Sequence, residues 1–150
     1  YHAQIINSGR FVNDSMGGYV AKQMVKKIIG EDKDIRNARV LIMGATFKEN
    51  VSDIRNSKVV DTVRELKSYG VQVDVIDPHA SAKEVKEEYG YELTETPKPK
   101  YDGVIVAVNH REYENLPESH FAELMDDRGV FVDLKGIYRG KIKKFQYWSL

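Results

Sequence analysis

The chain has 150 residues, 41% of them apolar and 31% charged, enough for one soluble core of ordinary domain size. Its 23 basic and 23 acidic side chains cancel, so no overall field draws in nucleic acid or an anionic membrane, and any anion site must be local. Cysteine is absent, which excludes disulfides, thiolate metal sites and a cysteine nucleophile within these residues, and the scattered His2, His79, His110 and His120 lack metal-ligand spacing.

Residues 11–29, "FVNDSMGGYVAKQMVKKII", predict a helix whose apolar stripe is Val12, Met16, Val20, Met24 and Ile28, widened by Tyr19, Val25 and Ile29. Such a helix packs on its own core, on a further domain or on a second subunit. "GEDKDIRN" is a polar break. "ARVLIMG" then reads as a buried strand, and "NSKVVDTVRELKSYG" as a helix capped by Asn56 or Ser57 and ended by Gly70. "VQVDVIDP" is a strand stopped by Pro78, and "SAKEVKEEYG" a short helix capped by Ser81. "YELTETPKPK" is a loop or short edge strand, "DGVIVAV" a third strand, "LPESHFAELMD" a helix and "GVFVDL" a fourth strand. The basic run "RGKIKK" reads as a solvated strand face, and the aromatic "FQYWSL" packs on the domain. No apolar run approaches the ~20 residues needed to cross a bilayer, and no signal peptide is visible.

Short apolar strands alternating with amphipathic helices predict an α/β fold, a parallel sheet covered on both faces. Right-handed crossovers make it a doubly wound, Rossmann-like domain. Ligands of such sheets bind beyond the carboxyl ends of the strands, where "GATFKENVSDIRNS", "DPHA", "NHREY" and "DLKGIY" form a common rim.

The first of these loops, residues 44–57, stands where a dinucleotide fold keeps G-x-G-x-x-G, yet only Gly44 matches. Cationic side chains offer another way to hold an anion. Lys48 supplies a compact ammonium, Arg55 a planar fork suited to phosphate, and Asp53 can orient one of them. Phe47 offers a flat apolar face for a sugar or base. The same Lys, Asp and Arg are equally compatible with solvated surface charges. Asp77 ends the second strand, where a dinucleotide fold has its ribose-binding acid, but without the glycines it reads as a strand-end or turn residue. His79 and His110 lie on the same rim, where either could touch a ligand or be incidental.

"GATFKENVSDIRNS…VQVDVIDPHA" resembles the signature of the UDP-glucose/GDP-mannose dehydrogenase family, a G-x-x-F-K-x-x-x-x-D-x-R-x-S loop followed by a strand ending in D-P. "GRFVNDSMGGYVAKQ" resembles the end of that family's central helical segment, "VFVDLKGIY" its late strand and loop, and "YWSL" its C-terminus. The flavour is that of the bacterial branch acting on UDP-N-acetylhexosamines for capsule or O-antigen, which includes UDP-N-acetylmannosamine and UDP-N-acetylglucosamine dehydrogenases. The resemblance implies that residues 1–35 are the end of the central dimerisation helix and a linker, and that 36–150 are the C-terminal UDP-sugar-binding domain. It implies that Phe47 and Lys48 contact the UDP-sugar and that Arg55 reaches the NAD. Lys135 falls where many members carry a substrate-contacting arginine; it keeps the charge and loses the bidentate fork.

The family's chemistry is an NAD-dependent oxidation of a sugar C6 alcohol to a carboxylate, through a cysteine-bound intermediate. The catalytic cysteine and its lysine are expected in other domains, together with most of the NAD site. This chain is therefore expected to hold no catalytic residue and to be inactive alone. The full-length enzyme is expected to be a cytoplasmic homodimer. A chain that starts at Tyr1, without Met, fits a processed form or a piece of something longer.

The rival is a stand-alone, non-catalytic nucleotide-binding module. A reading frame that begins near Tyr1 would favour it, and a long preceding part with G-x-G-x-x-G would favour the enzyme. A phospho-acceptor signalling domain would need an acidic pair after the first strand and an acceptor Asp after the third, where "MGAT" and "VNH" stand instead. A pure oligomerisation domain built on the first helix would be an accessory function.

Overall fold

A computed structural model describes residues 15–150. Five parallel strands form one sheet in the order β2-β1-β3-β4-β5. They are β1 (Arg39–Met43), β2 (Gln72–Ile76), β3 (Tyr101–Val106), β4 (Met125–Asp133) and β5 (Gln146–Ser149). The helices are α1 (Met16–Gly30), α2 (Val59–Ser68), α3 (Ala82–Tyr89) and α4 (Glu118–Leu124), with a 3-10 turn at Arg111–Tyr113.

The expected doubly wound architecture holds. Successive residues of β1 and β3 point to opposite faces, and both faces are covered. Val40, Ile42 and Ile105 join a cluster with Val20, Met24 and Ile28 of α1 and Val63 and Leu66 of α2. Leu41, Met43, Val104 and Val106 join the opposite cluster with Phe121 of α4 and the aromatic rings of Phe131 and Tyr138. Those rings meet edge to face, with centroids 4.8 to 5.6 Å apart.

Residues 11–14 of the first expected helix, Val12 among them, lie outside the described residues. From Met16 onward α1 packs on the core of this domain. Gly17 sits so close to α2 that a Cβ there would fall 2.7 Å from Asp61 Cβ and 2.9 Å from the Lys58 carbonyl. Thr62 Oγ1 donates to the Gly17 carbonyl at 2.9 Å across the same contact. The stripe is Val20, Ala21, Met24, Val25 and Ile28, which rotates the buried face away from Tyr19 and Ile29. Those two, expected to widen it, are 47% and 53% exposed.

Two further readings are corrected at the C-terminal end. "FQYWSL" does more than pack on the domain: it supplies β5, pairing with β4 from Val130↔Gln146 to Asp133↔Ser149. "RGKIKK" is not a strand face but a turn and loop that buries Ile142. The Lys143 and Lys144 N–H groups donate there to Glu118 Oε2 at 2.7 and 2.9 Å. "YELTETPKPK" is a loop, tied to the sheet edge by the Thr94 N–H donating to the Val75 carbonyl at 2.7 Å.

Candidate nucleotide-sugar site

The strand order reverses between β1 and β3, so the loops leaving these strands border the crevice where such sheets bind ligands. Gly44 makes the exit from β1 possible. Its φ is +110°, and a Cβ would lie 2.6 Å from Val108 Cβ and 2.8 Å from Val108 N, on the loop after β3. Only glycine combines that backbone with so close an approach.

The loop then folds on itself. Thr46 Oγ1 donates to the Lys48 carbonyl at 2.7 Å, and the Phe47 N–H donates to the Asp53 carbonyl at 3.3 Å. Two outside groups pin it. The Asn50 N–H donates to His110 Nδ1 at 2.8 Å, and Tyr89 Oη donates to the Ile54 carbonyl at 2.5 Å. Asn50 and Asn56 take positive φ values of 62° and 63°, which asparagine accepts more readily than most residues. Phe47, Lys48, Asp53 and Arg55 of the sequence reading are all exposed, together with Glu49, Val51, Ser52 and Asn56.

Phe47 stands between two hollows. On one side is a cleft of 630 Å³ shared with Lys48, Arg55 and Tyr89. On the other is a mainly apolar cavity of 180 Å³ at the switch point, shared with Lys58, Leu134 and Lys135. The structure thus groups Phe47 with Lys48 and Arg55, and Phe47 with Lys135. It does not bring Lys48 and Lys135 into one cavity. Asp53 holds Arg55 in a two-pronged pair, and this guanidinium drives the Asp53 carboxyl down to about 2.

Asp77 is a turn residue, as read, and fully engaged. Its Oδ1 accepts the His79 and Ala80 N–H groups at 2.7 and 2.9 Å, and its Oδ2 accepts the Ala45 N–H at 2.6 Å and His110 Nε2–H at 2.8 Å. Burial acts to raise this carboxyl, but the hydrogen bonds from His110 and the three amides hold it below its ordinary value. A carboxylate so occupied has no lone pair left for a ribose. His110 is wholly buried, while His79 pairs with Glu112 at 3.0 Å near the surface.

Asp133, Tyr89 and Lys58 were not singled out by the sequence. Asp133 ends β4 fully buried and accepts the N–H groups of Gly136, Ile137 and Tyr138 at 3.0, 3.3 and 2.7 Å, which shapes the turn that presents Lys135. An acid at a strand end before "LKG" was the available signal. Tyr89 and Lys58 act through tertiary contacts that no local spacing announces. Among the described residues no group of acidic or histidine side chains could hold a metal, and no helix is long and apolar enough to cross a membrane.

Comparison with known proteins identifies the domain. Residues 41–140 match the profile of the UDP-glucose/GDP-mannose dehydrogenase family, UDP binding domain. The chain is 48% identical over 136 residues to a UDP-N-acetyl-D-glucosamine 6-dehydrogenase of Pseudomonas aeruginosa, covering 90% of this chain and 32% of that protein. It is 38% identical over 139 residues to Protein CapL of Staphylococcus aureus, covering 91% of this chain and 32% of that protein. The native structure of the UDP-N-acetyl-mannosamine dehydrogenase Cap5O from Staphylococcus aureus superposes with a TM-score of 0.76 at 27% identity, covering 99% of this chain and 34% of that one. The chain therefore spans about a third of the length of the relatives it matches. With a sheet, a rim loop and a matched stretch that all coincide, this chain belongs to the UDP-glucose/GDP-mannose dehydrogenase family and corresponds to its UDP binding domain.

Proposed function

We propose that this chain is the substrate-binding domain of an NAD-dependent nucleotide-sugar 6-dehydrogenase that oxidises the C6 alcohol of a UDP-N-acetylhexosamine or UDP-glucose. The observation that carries the reading is Phe47, half-exposed between a cleft with Lys48 and a cavity with Lys135 at the carboxyl edge of the sheet. An aromatic face flanked by cations suits a nucleotide, whose base or sugar covers the ring while the diphosphate meets the ammonium groups. The similarity to a UDP-N-acetyl-D-glucosamine 6-dehydrogenase makes UDP-N-acetylglucosamine the first ligand to try.

Arg55 is assigned to the cofactor. Its side chain is 84% exposed, and Asp53 takes up Nε and Nη2 of the guanidinium, which leaves Nη1 for an NAD held by another domain. The NAD-cradling glycines and the reacting cysteine belong to the remainder of a longer, cytoplasmic and homodimeric enzyme. Closure of that remainder over this rim would exclude water during the oxidation.

Calorimetric titration with UDP-N-acetylglucosamine tests the reading, with Lys48→Ala alongside. Removing a charge-assisted phosphate contact should cost roughly 1.5–3 kcal/mol of binding. Binding that ignores the substitution sinks the role of Lys48. NADH production by these 150 residues alone would refute the division of labour.

A further inference from the structure

His110 is the one histidine among the described residues with no exposed surface, and it does not itself line either hollow of the proposed site. Its hydrogen bonds fix its tautomer. Nδ1 accepts the Asn50 N–H at 2.8 Å, so the ring proton is on Nε2. Nε2–H points to Asp77 Oδ2 at 2.8 Å, with Thr46 Oγ1 at 3.3 Å as a second neighbour. The Thr46 hydroxyl spends its own proton on the Lys48 carbonyl. A return bond closes the circuit, because the Arg111 N–H donates to Asn50 Oδ1 at 2.7 Å. One imidazole thus joins the ends of β1, β2 and β3, and its partners Thr46 and Asn50 bracket Phe47 and Lys48.

We infer that His110 is a positioning residue for the nucleotide-sugar site, fixing the turn that aims Phe47 and Lys48 through its bond to the Asn50 amide. The inference rests on the nucleotide-sugar reading of this loop. It has a sharp consequence, because the two ring nitrogens can be replaced separately. Asn at this position keeps an acceptor near the place of Nδ1 and gives up the bond to Asp77. Gln keeps a donor near the place of Nε2 and gives up the bond to Asn50.

Amide hydrogen exchange of residues 47–55 without ligand, and calorimetric titration with UDP-N-acetylglucosamine, should be run on the wild type, His110→Asn and His110→Gln. With the Asn50 bond lost, His110→Gln should exchange the Asn50 amide roughly tenfold faster and bind roughly fivefold more weakly, while His110→Asn stays near the wild type in both. A merely structural role would lower the melting temperature of both variants and leave their loop exchange and affinity alike. Asn50→Gly separates the two bonds of Asn50: it keeps the positive φ and the N–H to His110 Nδ1 and loses the bond from Arg111. It should therefore exchange and bind closer to the wild type than His110→Gln does, and the reverse would take the restraint away from His110. Loop exchange unchanged in His110→Gln overturns the inference whatever the wild type binds. A wild type that binds no UDP-sugar sinks the nucleotide reading whatever the variants do.

Discussion

Arg55 and Asp53 form a two-pronged ion pair on the exposed rim, with Nε 3.0 Å from Oδ1 and Nη2 2.8 Å from Oδ2. The Arg55 N–H also donates to Oδ1, at 2.9 Å. These bonds hold the Asp53 carboxyl at about 2, below its ordinary 3.8. A carboxyl depressed in the folded state contributes stability above its unfolded value and loses it as pH falls through the folded one. The pair should therefore be intact above about pH 4 and open as pH approaches about 2. Titrating the Asp53 side-chain carbon by NMR should give a midpoint near 2 in the wild type. A midpoint near 3.8 would mean that the pair does not persist in solution.

That pair marks how far the sequence could be read. Strand periodicity located β1 to β4, since each is a short apolar run between turn signals. β5 escaped because Gln146, Tyr147, Trp148 and Ser149 form no such run: it is an edge strand whose residues are exposed or half-buried. The rim loop was legible because Lys48, Asp53 and Arg55 stand within a few residues of each other. The network behind it was not. His110 meets Asn50 across 60 residues and Asp77 across 33, distances at which local spacing carries no signal. Tyr19 failed for a simpler reason: it was placed on one flank of the stripe, whereas at 3.6 residues per turn the buried face widens on the other flank, through Ala21 and Val25.

Gly44 should be the least replaceable glycine of the rim. Gly44→Ala combines an unfavourable φ with a Cβ 2.6 Å from Val108 Cβ. We expect a loss of about 2–5 kcal/mol in urea unfolding, the sum of left-handed backbone strain and overpacking. Gly140→Ala is the control, with a φ of +75° and nothing within 4 Å of the added carbon. It should cost only about 1–2 kcal/mol. Equal losses would mean that the contact with Val108 relaxes freely.

Asp133 should be sensitive to substitution although it lines neither hollow of the site. All its partners are donors: three backbone amides, and Tyr147 Oη at 2.6 Å. Asp133→Asn turns one oxygen into a donor facing other donors, so about 2–4 kcal/mol of stability should be lost. Tyr147→Phe removes only one partner from a carboxylate that keeps the others, and about 1 kcal/mol should go. The Tyr147 hydroxyl supplies a second readout. Burial first, then the adjacent Asp133 carboxylate, pushes it up to about 12. In Asp133→Asn the spectrophotometric midpoint of Tyr147 should move down, and an unmoved midpoint would deny the contact.

Lys135 offers the sharpest test of how the second cavity meets a nucleotide. It is exposed at the turn that Asp133 shapes, beside the cavity that Phe47 also lines. The family resemblance leads one to expect arginine there. An ammonium meets a phosphate as a point charge, whereas a guanidinium meets it with two parallel bonds. Lys135→Arg should therefore tighten UDP-N-acetylglucosamine binding by about threefold to tenfold, and Lys135→Ala should weaken it by at least about tenfold. Neither change should alter stability by more than about 0.5 kcal/mol at so exposed a position. Calorimetry beside urea unfolding separates the two effects. If arginine and alanine bind equally well, the phosphate is held elsewhere, and Lys135 closes the cavity only by its aliphatic stem.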